Sequence, residues 1–275
     1  MDDHLRANLA NWESRVPRHA ASDEYGLSRY LDDPSFLSPV VRYDAARLGE
    51  MRGLEVVHLQ CHLGTDTLSL ARLGARVTGV DFSPSALQIA RDLADRAGPP
   101  VRYVETSVED APEALGTRYD LVYTGVGALC WLPSVRRWAE VVAELLRPGG
   151  RLYLREGHPV LWSLQPDRSD GLLVIDWPYF EAAGAQRESC ATTYAGQGTL
   201  EHPVTYEWNH GLGELVQAVL DAGLVLTRLE EHDFVEWPAI AGMVPDAEVE
   251  GRYRLPDAQA HLVPLMVTLE ARRPD

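Results

Sequence analysis

A chain of 275 residues, 45% of them hydrophobic, can fill one large packed domain, with or without a cap, and is too apolar for general disorder. A formal net charge of −16 repels phosphate backbones, so nucleic acid is not an expected partner. No apolar run has the length of a membrane span and the opening MDDHLRANLANWESR is polar, so neither a signal peptide nor a membrane anchor is expected.

The first 50 or so residues read as helical, with Tyr25, Tyr30 and Tyr43 spaced along them. Leu54–Leu59 is a first strand, and Thr65–Leu73 a helix with Leu68, Ala71 and Leu73 as apolar positions and Gly74 as its stop. Arg76–Val80 is a second strand. Ser83 then caps a helix whose first position is Pro84, running to about Ala97 before Gly98-Pro99-Pro100. Val101–Val104 and Leu121–Thr124 are the third and fourth strands. Pro133–Leu146 is a helix stopped by Arg147-Pro148-Gly149-Gly150, and Arg151–Arg155 a fifth strand. This alternation predicts right-handed crossovers and a parallel sheet with helices on both faces. Gly157–Glu207 is less regular. Its strand-like runs, Leu172–Asp176, Ala191–Tyr194 and Val204–Glu207, suggest an insertion built as a small antiparallel ribbon over the sheet's edge. Gly211–Ala222 is a helix with Leu212, Leu215, Val216, Val219 and Leu220 on one stripe. Leu224–Leu229 is a sixth strand and His261–Glu270 the last, after a loop with Trp237, Pro238 and Pro245.

All 25 basic residues are arginine, so a Schiff-base lysine or a phosphate-loop lysine is impossible. Cys61, Cys130 and Cys190 cannot all pair and lack metal-ligand spacing, which points to a reducing cytoplasm and no metal site. In an open parallel sheet, ligands meet the turn after the first strand. A dinucleotide would set its pyrophosphate there, on several glycines. This turn, His58-Leu59-Gln60-Cys61-His62-Leu63-Gly64, has one. The second strand ends in Asp81, a carboxylate where a ribose would present two hydroxyls. A ribose hook without a phosphate clasp suits an adenosine-type ligand.

Val56–Gly64 resembles motif I of the class I S-adenosylmethionine-dependent methyltransferases, with Gly64 as its final glycine. Asp81 matches the family's acid after strand two. Tyr119–Tyr123 resembles its fourth strand, and Leu145-Leu146-Arg147-Pro148-Gly149-Gly150-Arg151-Leu152 its turn into strand five. The resemblance covers Arg52–Glu156 well and the sixth and seventh strands loosely. It implies a Rossmann-like, doubly wound α/β fold: a seven-stranded sheet with an antiparallel last strand, N-terminal helices and a cap inserted after strand five. The implied divisions are an N-terminal helical lid over 1–50, a cofactor-binding core over 51–156, the cap over 157–208 and the rest of the core sheet over 209–275. The implied cofactor is S-adenosylmethionine and the implied reaction methyl transfer to a small-molecule acceptor in natural-product biosynthesis. His58 replaces the family's acid, and Gln60 and His62 replace glycines, so the departures fall at the methionine end of the cofactor.

The cofactor candidates are Gln60, Cys61, His62, Gly64, Asp66, Asp81, Phe82, Ser107, Val108, Thr124 and Gly125. By similarity Ser107 falls where an aspartate accepts from the adenine amino group, Val108 flanks the ring, Asp66 faces the ammonium or favours the helix N-terminus, and Cys61 serves equally as a small buried hydrophobe. The catalytic candidates are His158 after strand five, His210 before the following helix, and Tyr25 and Tyr30 on the N-terminal segment; each histidine reads equally as a loop or cap residue. Trp131, Tyr206, Trp208 and Trp162 are candidate acceptor-wall residues. With seven tryptophans and eleven tyrosines, many outside the sheet core, an aromatic acceptor is expected, with carbon methylation of an indole-like ring ahead of oxygen or nitrogen methylation. The insertion either closes as a lid or pairs with a second copy in a homodimer. The rival functions are a nicotinamide-dependent oxidoreductase, which the single-glycine turn opposes, and a non-catalytic relative that binds the cofactor.

Overall fold

A computed structural model describes residues 2–249 and 251–275. The central sheet contains β1 (Glu55–Leu59), β2 (Arg76–Asp81), β3 (Arg102–Glu105), β4 (Tyr119–Thr124), β5 (Leu146–Gly157), β6 (Val225–His232) and β7 (Met266–Arg272). Their spatial order is 3-2-1-4-5-7-6. The first five strands pair in parallel, whereas β7 runs antiparallel to both of its neighbours. The order reverses between β1 and β4, which opens the ligand crevice at the carboxyl ends of those two strands.

Period-two alternation assigns each strand residue to a layer. Val57 and Leu59 of β1 face the same side as Val122 and Leu154. Against them pack α7 (Val135–Leu145) and α9 (Leu212–Asp221) through Trp138, Val142, Leu215 and Val219. Val56 and Tyr123 face the opposite side, under α3 (Pro39–Leu48) and α4 (Thr65–Arg72). α5 (Pro84–Ala97) closes the β2–β3 end through Leu87, Ala90 and Ala94. Its start is set locally, since Pro84 occupies the first turn and the Ser83 hydroxyl accepts from Ala86 N at 3.1 Å.

The α3 side also buries a polar belt. Asp44 accepts from the Tyr123 and Tyr153 hydroxyls at 2.7 and 2.8 Å, and Arg155, wholly buried, bridges Asp44 and Glu236. Burial raises the Asp44 carboxyl, while Arg155 and the two phenols pull it back down. Because each buried charge has opposite-charge or hydrogen-bonding partners, the belt pins α3 to the sheet.

Several expectations need correction. β5 begins at Leu146, so the Arg147–Gly150 turn lies within the strand as a bulge, where the register to β4 shifts between Tyr119 and Leu121. The ribbon pairs Gln186–Ser189 with Val204–Glu207, and it lies on α1 (Asp3–Ala20) rather than on the sheet's edge. Leu172–Asp176 is not a strand. Leu172 and Ile175 are 60% and 63% exposed, and one isolated bridge, Leu164 to Ile175, is all the pairing the run makes. Ala191–Tyr194 is likewise irregular. Leu220 turns out of the α9 stripe and is 44% exposed. The loop expected before the last strand contains a three-stranded antiparallel sheet of Phe234–Val235, Tyr253–Arg254 and Val244–Pro245, and the last strand starts at Met266 instead of His261.

Candidate active site

β1 ends at Leu59, and the chain reaches α4 through Gln60–Gly64. Gln60, His62 and Gly64 all have left-handed backbones, with φ of 56°, 48° and 73°. Only glycine adopts that region freely; each side chain placed there costs roughly 1–3 kcal/mol. The turn therefore retains the shape of a three-glycine loop while carrying side chains at two of the three positions. Gln60 Nε2 donates to Ala128 O at 2.9 Å, but Gln60 Oε1 is buried without a partner. The same holds for the Thr124 hydroxyl, on the β4 residue paired with Leu59. Both oxygens belong to residues at the switch point, and both can accept a hydrogen bond. At Gly64 a Cβ would come within 2.4 Å of the Tyr103 hydroxyl and 2.8 Å of Ala90 Cβ. Gly64→Ala is therefore expected to cost about 2–4 kcal/mol, read as a fall in Tm of roughly 5–10 °C.

Asp81 closes β2 at 7% exposure and accepts from His62 N at 2.8 Å and Ser83 N at 2.9 Å. Burial pushes its carboxyl up to about 6, with the backbone N–H groups of Ser83, His62 and Phe82 pulling the other way. Phe82 beside it is half-buried. Across the turn, Asp66 Oδ2 and His58 Nε2 lie against Gly125, each 3.5 Å from where a Cβ would stand, so that a glycine there keeps the space beside both free of a side chain. Burial raises the Asp66 carboxyl to about 6. His58 does not replace the family's acid electrostatically. Burial holds its imidazole near 3, hence neutral, with Nδ1 on the Thr67 hydroxyl at 2.9 Å. Cys61 points away from the crevice into the α5 layer beside Leu87, Ala90 and Tyr103, as a small buried hydrophobe. Ser107 is tied to its own loop: its hydroxyl donates to Asp110 Oδ2 at 2.7 Å and accepts from Asp110 N at 3.2 Å. Val108 is buried in the main core at that end of β3.

Over the turn lies a cage of rings. Along α1, Trp12, Arg15 and His19 share one face, spaced three and four residues apart. His19 Nδ1 meets His62 Nε2 at 3.0 Å, and His19 Nε2 meets the Thr193 hydroxyl at 2.7 Å. Tyr25 stacks on His19 at 5.0 Å between centroids, and its hydroxyl bonds to the Tyr194 hydroxyl at 2.6 Å. Trp12 stands edge-on to His62 at 4.9 Å and to Trp131 at 5.2 Å. Burial and the Arg15 charge depress both imidazoles, His19 to about 3, so both are neutral at physiological pH. The cap joins the cage because Asn8 grips Tyr206 by both backbone atoms, Nδ2 to O at 2.7 Å and Oδ1 from N at 2.8 Å.

Of the catalytic candidates, Tyr25 alone stands in this cage. Tyr30 is buried against Leu68 and Leu93, because a phenol on α2 (Leu27–Asp32) faces the α4–α5 groove. His210 is fully engaged elsewhere, with Nδ1 on Glu181 at 2.7 Å and Nε2 on the carbonyls of Leu129 and Leu132 at 3.0 Å. His158 caps α8 (Pro159–Ser163), where Nδ1 accepts from Val160 N at 3.1 Å and Nε2 pairs with Glu231 at 3.0 Å. Trp131 is in the cage, whereas Trp162 and Trp208 line a separate small cavity with His210, Trp162 stacking on Trp237 at 5.9 Å. The Tyr206 ring packs on His4 at 4.3 Å. Trp12, Arg15, His19, Thr193 and Tyr194 were missed. For the three on α1 the trace is a helix whose buried residues are mostly polar, with Asn8, Asn11, Ser14, Arg15 and His19 beside the apolar Val16.

Residues 56–150 match a family described as a methyltransferase domain. Among curated relatives, the ubiquinone biosynthesis O-methyltransferase of Photorhabdus laumondii is 34% identical over 133 residues, 46% of this chain and 55% of that one. The protein of the same name from Xanthomonas axonopodis pv. citri is 37% identical over 119 residues, 43% of this chain and 49% of its own. The chain thus spans about half the length of the curated relatives it matches. Among solved structures, an S-adenosylmethionine-dependent methyltransferase from Mesorhizobium loti superposes with a TM-score of 0.54 at 21% identity, covering 83% of this chain and 94% of that one. The glycopeptide N-methyltransferase MtfA bound to S-adenosylmethionine gives 0.52 at 20% identity, covering 85% and 92%. Residues 56–150 thus resemble a methyltransferase domain, and the fold of the chain is that of the class I S-adenosylmethionine-dependent methyltransferases.

Proposed function

We propose that this chain binds S-adenosylmethionine between the Gln60–Gly64 turn and Asp81 and transfers its methyl group to an aromatic small molecule. The observation that carries the acceptor class is the ring cage of Trp12, His19, Tyr25, His62, Trp131 and Tyr194 over the same turn. The residues at the turn fit the cofactor. Asp81 suits the two ribose hydroxyls, the orphaned Gln60 and Thr124 oxygens together with Asp66 suit an ammonium, and Gly125 leaves room beside them. When bound, S-adenosylmethionine supplies an electrophilic methyl on a sulfonium whose leaving group is a neutral thioether.

The chain's own contribution is positioning and dryness. α1 and the cap hold a flat acceptor against the rings and exclude water. The cage contains no strong base, because His19 and His62 are neutral, bonded to each other and depressed by burial. A phenol, with an ordinary pKa of about 10, would need a proton acceptor before attack. An electron-rich ring carbon loses its proton only after the methyl has joined, when even a weak base suffices. The site therefore favours carbon methylation of an indole-like ring. The ubiquinone biosynthesis O-methyltransferases among its relatives support small-molecule methyl transfer generally.

The direct test is a panel of indoles, phenols, amines and non-aromatic acids, read as S-adenosylhomocysteine released. Turnover with indoles is expected, and turnover confined to non-aromatic acids or amines would end the acceptor reading. Trp12→Ala is expected to raise the acceptor's KM roughly tenfold by removing a ring contact, with the S-adenosylhomocysteine Kd changed less than about threefold.

A further inference from the structure

Arg15 is the one cage residue whose chemistry the proposed transfer leaves unused. It is 8% exposed, and the centre of its guanidinium lies 4.9 Å from the Trp12 ring and 5.4 Å from the Trp131 ring. Nε donates to Asn11 Oδ1 at 2.6 Å, which fixes the plane of the fork, but no ion pair among the described residues engages the two terminal nitrogens. Its charge acts on His19, His62, Tyr25 and Tyr194, so it is central to the cage rather than beside it. Glu188 and Glu207 on the ribbon also sense it, yet neither makes an ion pair with it. A largely buried cation with no carboxylate in ion-pair contact is costly. A planar fork stacked on aromatic rings with two free N–H edges is suited to a carboxylate.

We propose that Arg15, its guanidinium held against Trp12 and Trp131, is the anion seat of this site and takes a carboxylate of a bound ligand. This deepens the proposed function and rests on it. The carboxylate has two sources, the amino-acid end of the cofactor or an acid group on the aromatic acceptor. The orphaned Gln60 oxygen and Asp66 nearby would suit the ammonium of the same amino-acid end, whereas the rings would suit an aromatic acid.

Calorimetry on the full chain separates the cases, using wild type, Arg15→Gln and Arg15→Lys. The probes are S-adenosylhomocysteine, 5′-methylthioadenosine (which lacks the amino-acid end), indole-3-acetate and 3-methylindole, the indoles being added to nucleoside-loaded protein. If the cofactor supplies the carboxylate, Arg15→Gln weakens S-adenosylhomocysteine tenfold or more and leaves 5′-methylthioadenosine within twofold. If the acceptor supplies it, both nucleosides are unchanged and indole-3-acetate alone loses tenfold, while 3-methylindole does not. In either case Arg15→Lys should recover only part of the loss, because an ammonium keeps the charge and loses the fork. Unaltered S-adenosylhomocysteine and indole-3-acetate binding in Arg15→Gln would overturn the anion seat, as would an equal loss for charged and uncharged probes. Failure of wild type to bind either nucleoside would instead sink the cofactor reading itself.

Discussion

Asp81→Asn is expected to weaken S-adenosylhomocysteine binding roughly a hundredfold, since hydrogen bonds to a charged group are worth about 1.5–3 kcal/mol each and two hydroxyls would donate to this one. The amide retains one acceptor oxygen but turns an NH2 toward the N–H of either His62 or Ser83, which the carboxylate now satisfies. The same group sets a pH dependence. Burial raises it from the ordinary 3.8 to about 6, and ribose hydroxyls favour its ionised form. Binding should therefore strengthen as pH rises through 6, with affinity at pH 5 about tenfold below that at pH 7. The apoprotein runs the other way. Between about 4 and 6 the folded chain keeps protons on Asp81 and Asp66 that the unfolded chain has released, so their share of stability is present at low pH and lost as pH rises through 6. Calorimetric Kd values and apoprotein Tm across pH 5–8 would check both slopes. A flat binding profile in wild type, or one unchanged in Asp81→Asn, would remove Asp81 from the ribose.

Glu156→Ala is expected to have the largest effect on the fold, a loss of about 4 kcal/mol or more and a fall in Tm of roughly 10 °C. Its buried carboxylate accepts from four backbone groups: Gly127 N at 2.6 Å, Ala128 N at 2.8 Å, Leu129 N at 2.9 Å and Gly157 N at 2.7 Å. Burial raises the carboxyl and those four donors oppose the rise. Truncation would leave all four donors unpaired in a dry interior. Because the clamped loop carries Trp131 and the carbonyl that Gln60 grips, the acceptor's KM should rise together with the loss of stability. Glu156→Gln should lie between, since it keeps the volume and one oxygen while setting an NH2 against two donors. A Tm drop below about 3 °C in Glu156→Ala would show that the loop is held by something else.

How much of this was legible beforehand follows the range of the forces involved. The β1–α4–β2–α5 unit, the Ser83–Pro84 cap and Asp81 at a strand's end stand in the sequence because propensity, capping and period-two burial act over a few residues. The parallel sheet follows from their alternation, and the antiparallel last strand from family resemblance. Packing decided what local signals could not. Gln60 and His62 read as departures from a glycine motif, yet both adopt glycine's backbone, because the loop is held by the Gln60–Ala128 bond and the His62 N–Asp81 bond, formed with residues distant in sequence. His210 and Tyr30 have the type and position of catalytic residues, but Glu181 and Leu129, which engage His210, and Leu68 and Leu93, which bury Tyr30, lie 29 or more residues away. Trp12, Arg15 and His19 lay unnoticed on a helix that meets the turn only when the chain closes on itself. Residue type and spacing settled the layers and the place of Asp81 at a strand's end, because those depend on neighbours along the chain. Which rings and charges face the ligand depended on contacts across the fold, where every side chain's burial and bonding partners are set at once.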